Sequence, residues 1–388
     1  MLPHLANELA GRRKHRHLTT QYLNYRAVDT YTHVLDFEAD VLMKELFIQG
    51  NAGASPLNPQ VCSFFFTEEA LTLLTDSIKD ELVKTALHLS CKFMNCTSPI
   101  SNLVDFVPFL QKILTFMSSH GHHLHGGLMG TYGGLIKDIE VRMNCGEDVP
   151  DCLAKSMILA QEEEGLDDKD MAILASAFMI GGVETTAAIM QWFSAAYPEI
   201  QAKAHAELDC VIGQDCMPSI DDEKNLPYIH AIVKEVKRCH NPFWLGTPHF
   251  STEDFRYNGY LILKDIMVVL NTYTMHNDPA CHPEPETFNP DRYINNSTTS
   301  AESANLANAN EQDHWMFGAS HRICPGMIVA ECEIWLTIAW MLWCFRMEAI
   351  PSEPIDLKEY NRLSGCSPMP FRIKCIPCDD NIAKVLEL

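Results

Sequence analysis

The sequence contains no uninterrupted apolar run of the ~18 residues that a membrane-crossing helix needs, and its opening stretch, MLPHLANELAGRRKHRHL, holds no apolar segment of signal-peptide length. The nearest approach runs from Met327 to Phe345, but Glu331 and Glu333 interrupt it, the pattern of a buried amphipathic helix. Basic residues are scarce. With 29 Lys and Arg against 51 Asp and Glu, the net charge is -22 and the pI about 5.1. A phosphate backbone would repel such a chain, so no nucleic-acid partner is expected. Cys375 and Cys378 have no second Cys-x-x-Cys at zinc-finger spacing. P-loop, dinucleotide-binding glycine fingerprint and esterase elbow are all missing. With no repeat and no long linker, residues 1–388 read as one domain.

What is present describes a globular chain. Hydrophobic residues make up 47% and charged residues 21% of 388 residues and 43.8 kDa, far from the composition of disorder. The 15 cysteines are odd in number and scattered from Cys62 to Cys378, which fits a reducing, intracellular setting. Val28, Tyr31, Leu35, Leu42 and Leu46 recur at helical spacing and predict a helix over 22–47. Further helices are expected over 68–93, 100–117, 131–143 and 150–162. A loop is expected at Ser119–Gly127, whose His120, His122, His123 and His125 read as solvated rather than metal-binding. Asp170 is expected to cap a long apolar helix from Met171 to Ala196. Pro198 starts the next helix, over 199–212, and Asp221 or Asp222 opens another that ends near Cys239.

Beyond residue 240 strand signals gather. Asn258-Gly259 in FRYNGYLILK marks a hairpin, Met267–Leu270 a short strand and Phe371–Ile376 a closing strand. Segment 295–311 reads as a solvated loop and Cys324–Phe345 as a helix. The expected class is mainly α with small β-sheets.

The most informative stretch is HWMFGASHRICPGMIVAECEIW, residues 314–335. A Gly/Ser-rich loop delivers Cys324 to the start of a long apolar helix, where unpaired N–H groups and the positive dipole end favour a thiolate. Such a sulfur is a metal ligand or a nucleophile. Phe317, Arg322, Cys324 and Gly326 match the Phe-x-x-Gly-x-Arg-x-Cys-x-Gly loop of the cytochrome P-450 haem-thiolate monooxygenases, and the sequence resembles that family from residue 12 onward. The resemblance implies that Cys324 is the axial ligand of the iron of haem b, that Arg322 meets a haem propionate and that Phe317 packs beside the sulfur. A thiolate ligand favours O–O cleavage.

Three further motifs stand in the family's order. GGVETT, residues 181–186, puts an acid and two hydroxyls inside an otherwise apolar helix, where they are costly unless satisfied or used. By resemblance Gly182 makes room for dioxygen, and Glu184 and Thr185 serve the proton relay. Glu235 and Arg238 stand i and i+3 in KEVKR, a spacing typical of a surface ion pair. With Arg292 of PDRY they are similar to the family's buried Glu-Arg-Arg network. Arg16, near the start of the family's third major helix, would meet a propionate, although a basic solvated helix start explains the same cluster.

The resemblance also implies fold, partners and substrate class. The fold is a single haem-thiolate domain that lacks the family's N-terminal portion, so the chain is identified as an N-terminally truncated member, similar to fungal enzymes of secondary metabolism. Ala177, Phe178, Phe243, Leu245 and Met369 fall where the family lines its pocket, which points to a small apolar guest such as a terpenoid or polyketide. Dioxygen is the co-substrate, and electrons come from NADPH through a flavoprotein NADPH-cytochrome reductase. Family members are usually anchored in the endoplasmic-reticulum membrane. A non-catalytic haem-binding remnant and a reductase-independent peroxide isomerase are the alternatives. Ser320 replaces a family glycine, which costs roughly 1 kcal/mol if the backbone there takes positive φ.

Overall fold

The computed structural model describes residues 15–17, 19–21, 23–59, 114–149, 153–193, 197–308, 311–313, 315–356 and 368–388. The expected helix over 68–93 and most of that over 100–117 lie outside them. The chain divides into two compact units. One comprises residues 1–48, 58–187 and 328–330, the other residues 49–57, 188–327 and 331–388.

The first unit is helical. Helix α1, Tyr25–Gln49, buries Val28, Leu35, Ala39, Leu42, Met43 and Leu46, an apolar stripe at three-and-four spacing. Helices α2, Leu114–Asn144, and α3, Leu153–Glu164, precede α4, Asp168–Phe193. Ile136, Ile139, Ala154, Met157, Met171 and Leu174 of these three helices form one apolar cluster with Val149 and Leu166. Ser119–Gly127 lies inside α2 and is not a loop. Its glycines and histidines disfavour helix by at most about 1 kcal/mol each, which packing of the helix downstream overcomes. The N-cap of α4 is Asp167, not Asp170: Asp170 N–H donates to Asp167 Oδ1 at 2.7 Å and Asp167 N–H to Asp170 Oδ2 at 3.4 Å, a reciprocal box.

The second unit is mixed. Pro198 opens α5, Pro198–Val211. A 3-10 turn, Ile220–Asn225, carries the acids expected to start a helix, with a Ser219/Asp222 capping box; Pro227 then opens α6, Pro227–Cys239. Strands β1, His249–Phe250, and β4, Met267–Val268, pair antiparallel around the hairpin of β2, Phe255–Tyr257, and β3, Tyr260–Ile262. Asn258 and Gly259 turn that hairpin with φ of 47° and 84°, the left-handed pair that Asn-Gly adopts readily.

Short helices α7, Thr272–His276, and α8, Ser300–Ala304, follow. The second lies inside the segment expected to be a solvated loop: a Thr299/Glu302 capping box starts it, and Ser300 and Ser303 are buried. Helix α9, Met327–Cys344, continues without a break into β5, Phe345–Ala349, which pairs antiparallel with β6, Ile373–Pro377. Helix α10, Ile382–Val385, closes the chain. Among the described residues α9 is one helix long and apolar enough to cross a membrane, and 83% of it is buried inside the molecule. Trp340 and Trp343 donate their ring N–H groups to Pro218 and Gly213 carbonyls, which fixes α9 against the turn after α5.

Candidate active site

Helix α6 is buried from Tyr228 to Arg238, two lysines, a glutamate and an arginine included. Charges are tolerated there only when paired and hydrogen-bonded. The Glu235 carboxylate accepts from Arg238 Nε and Nη2, both at 2.8 Å, from the Asn289 N–H at 2.8 Å and from Arg292 Nε at 3.3 Å. The structure thus brings Glu235, Arg238 and Arg292 together. Asn289 caps the 3-10 turn Pro290–Tyr293 that delivers Arg292, and Arg292 Nη2 also donates to the Glu284 carbonyl at 2.7 Å. Burial is the largest single influence and works against the Arg238 charge, but the Glu235 hydrogen bond and the surrounding negative groups together outweigh it and hold the guanidinium above its usual value. Burial and then the Glu235 charge push the Cys239 thiol and the Tyr293 phenol well up, so both stay protonated.

From this foundation a chain of contacts reaches the cysteine loop. Arg238 Nη1 donates to the His276 carbonyl at 2.9 Å, and the Trp315 N–H donates to His276 Nε2 at 2.7 Å. That bond requires Nε2 to carry no proton. Two residues on, Phe317 is buried and its carbonyl accepts the Cys324 N–H at 2.8 Å, which closes the loop. The tight path between them uses Gly318 at φ 78° and Ser320 at φ 55°. Ser320 therefore occupies the left-handed region, where a non-glycine residue is strained. Ser320, His321 and Arg322 form an exposed 3-10 turn, and Cys324 is half-buried. Gly326 caps α9, which begins at Met327. Cys324 stands just ahead of the helix rather than in its first turn, because Pro325 and Gly326 intervene.

The remaining expected residues are placed as follows. On α4, in the first unit, Thr185 is half-buried and Thr186 buried; Glu184 follows the same helix, its side chain outside the described set. Ala177 is exposed, and Phe178 packs against the apolar cluster of α2–α4. Arg16 is half-buried and its carbonyl accepts the Thr20 hydroxyl, while neighbouring His15 meets Asp170 at 2.8 Å. In the second unit Phe243 is half-buried, and Leu245 and Met369 are exposed.

The donor set fits a haem. One cysteine is presented on a closed loop with an arginine two residues before it. Among the described residues no three His, Cys, Asp or Glu groups converge as a site for a bare ion. A single thiolate is what an iron with four porphyrin nitrogens asks of a protein. Cys324 would hold the iron, and Arg322, exposed two residues before it, would carry charge toward a haem carboxylate.

A mainly helical fold with a lone cysteine loop resting on a buried Glu-Arg-Arg network defines a haem-thiolate oxidoreductase. The comparisons agree: the Cytochrome P450 family profile matches residues 4–375, and the chain belongs to the cytochrome P450 family. Cytochrome P450 monooxygenase 253 of Postia placenta is 31% identical over 387 residues, which span 96% of this chain and 73% of that protein. Cytochrome P450 monooxygenase fsoB of Humicola fuscoatra is 34% identical over 298 residues, which span 74% of this chain and 55% of its own length. A zebrafish cytochrome P450 solved with abiraterone superposes with a TM-score of 0.73 at 19% identity, covering 95% of this chain and 82% of the other.

Sequence reasoning missed several residues that carry the site's geometry: Lys234, Lys237, His276, Ser300, Asp313 and Glu331. Only one was flagged by a local signal, the glutamate that interrupts the apolar run of α9.

Proposed function

We propose that this chain is a monooxygenase that places one atom of dioxygen into an apolar organic substrate of fungal secondary metabolism, a terpenoid or polyketide, while the other atom leaves as water. The observation that carries the reading is the loop Phe317–Gly326, closed by its Cys324–Phe317 hydrogen bond and footed on Glu235, Arg238 and Arg292. When bound, the haem supplies dioxygen binding and cleavage. Cys324 Sγ would ligate the iron and supply electron density to it. Thr185 and Glu184, consecutive on α4, would supply the hydroxyl and the acid that hold and pass the protons cleavage consumes. Phe243, Leu245 and Met369 give an apolar guest contact without a charge to satisfy. Electrons come from NADPH through a flavoprotein reductase, and the reading places the enzyme inside the cell, on the endoplasmic-reticulum membrane where family members usually reside.

The test is the ferrous carbon monoxide spectrum of the haem-loaded chain, followed by turnover with a reductase. A thiolate Soret band that Cys324→Ser removes, together with NADPH-dependent oxidation that the same variant abolishes, is the expected result. A haem-loaded chain without that band refutes the ligand assignment. Product formation without NADPH or reductase refutes the monooxygenase reading in favour of peroxide isomerisation.

A further inference from the structure

Helix α6 buries more cations than its Glu-Arg-Arg network uses. Lys234 and Lys237 are both 0% exposed, and an apolar side chain would fill their space without the cost of desolvating a charge. Each instead ends among polar partners, three for Lys234 and two for Lys237. Lys234 Nζ donates to Asp313 Oδ2 at 2.5 Å, Asn296 Oδ1 at 3.0 Å and Thr298 Oγ1 at 3.1 Å. Asp313 is itself held, with Oδ1 accepting from Ser303 Oγ at 2.7 Å and its N–H donating to that hydroxyl at 3.0 Å. Lys237 Nζ donates to Glu331 Oε1 and to Ser300 Oγ, and the Ser300 hydroxyl donates a hydrogen bond to the same carboxylate at 2.6 Å. The Ser300 N–H, at the start of α8, donates to Glu331 Oε2 at 3.0 Å.

The places these bonds reach are specific. Asp313 lies just before Trp315 and Phe317, where the chain enters the cysteine loop. Glu331 lies in the second turn of α9, just after the chain leaves it. Two directional ion pairs, three residues apart on one helix, therefore hold the loop's entrance and exit at a fixed separation. Glu235 and Arg238 occupy the neighbouring strip of the same helix and steady the loop through His276 and Trp315.

We infer that Lys234 and Lys237 are positioning residues for the Cys324 thiolate, acting through Asp313 and Glu331, the two ends of its loop. The inference rests on the haem-thiolate reading above, and one of its measurements does not depend on haem. Apolar replacement leaves Asp313 or Glu331 charged, buried and without its cation, so the loop end it anchors is released. Small displacements at a reacting atom weigh heavily on function.

The experiment uses the full chain, haem-loaded, as Lys234→Met, Lys237→Met, Lys237→Arg and the paired Lys237→Met/Glu331→Met, with Leu208→Ala of α5 as a control that disturbs the same unit away from the loop. Two quantities are followed beside the melting temperature: the share of the ferrous carbonyl spectrum in the thiolate band, and hydrogen exchange at the Cys324 amide. In Lys237→Met and Lys234→Met the thiolate share should fall several-fold and the Cys324 amide should exchange faster by about tenfold or more. Lys237→Arg should restore both. Leu208→Ala should lower the melting temperature with neither readout moving more than about twofold. Equal movement of both readouts in Leu208→Ala, or none in the lysine variants, overturns the inference. If the parent chain shows no thiolate band, the functional reading fails while amide exchange still decides the positioning claim. If a lysine-to-methionine variant does not fold, the paired variant decides: it leaves no buried charge unpaired but still frees the loop end, so both readouts should move, and parent-like values overturn the inference.

Discussion

Replacing Glu235 with alanine removes the acceptor at the centre of the ionic foundation and leaves its donors behind. Arg238, 1% exposed, keeps its charge and loses both bonds to the carboxylate, and the Asn289 N–H loses its acceptor. Breaking a buried pair by deleting one partner costs about 3–5 kcal/mol, and the lost hydrogen bond of half-buried Asn289 adds at most about 1 kcal/mol. Against a typical domain stability of about 5–15 kcal/mol, Glu235→Ala should leave the chain largely unfolded at growth temperature and unable to load haem. Glu235→Gln keeps an oxygen for Asn289 and removes the charge, and should cost less, about 2 kcal/mol. The double variant Glu235→Met/Arg238→Met removes both charges and should recover part of the loss. Urea unfolding with linear extrapolation measures all three. A Glu235→Ala loss below about 1 kcal/mol, or a double variant no better than Glu235→Ala, would show that the network is not a buried ion pair in energetic terms.

Ser320→Gly relieves a φ of 55°; removing about 1–2 kcal/mol of left-handed strain against about 0.4–1 kcal/mol of added unfolded-state entropy should leave a small net gain. Thermal unfolding reads it, and a lowered midpoint would contradict the strain assignment. His240 is held down to about 3 from 6.5 by burial and the nearby Arg238 charge. The unfolded chain therefore binds the extra proton between those values, so stability is full above pH 6.5 and falls as pH drops, by up to ~1.4 kcal/mol per pH unit. His240→Gln should flatten that part of the stability profile, and an unchanged slope would assign the titration elsewhere. Asp167→Ala removes the cap of α4 and should cost about 1 kcal/mol, whereas Asp170→Asn, which keeps an acceptor, should cost less; the reverse order in denaturant unfolding would restore Asp170 as the cap.

Much of the architecture is legible locally. Pro198, Asn258-Gly259 and the apolar run of α9 each declare their element through backbone chemistry confined to a few residues. The loop Phe317–Gly326 is equally readable because its residue types sit within one turn of chain. What escaped is non-local. KEVKR looks like a solvated helix face until Lys234 meets Asp313, 79 residues away, and Lys237 meets Glu331, 94 residues away. No periodicity encodes such a pairing. Ser119–Gly127 misleads for the opposite reason, since its composition disfavours a helix that packing imposes. Segment 295–311 looked solvated because its residues are small and polar, yet Ser300 and Ser303 are buried as partners of charges elsewhere in the chain.

A helix that turns charges inward has a consequence for the order in which the protein is made. Helix α6 leaves the ribosome with Lys234, Glu235, Lys237 and Arg238 all destined for the interior. Glu235 and Arg238 already have each other, but neither lysine can leave water before its distant partner exists, and the Glu235 pair lacks its remaining donors. Asn289 and Arg292 come first, then Asp313, and Glu331 last. The second unit is thus barred from early collapse around α6, and its consolidation waits for the stretch that carries the cysteine loop to be synthesised. A nascent chain arrested before Glu331 should leave α6 open to protease, and one arrested after α9 should protect it.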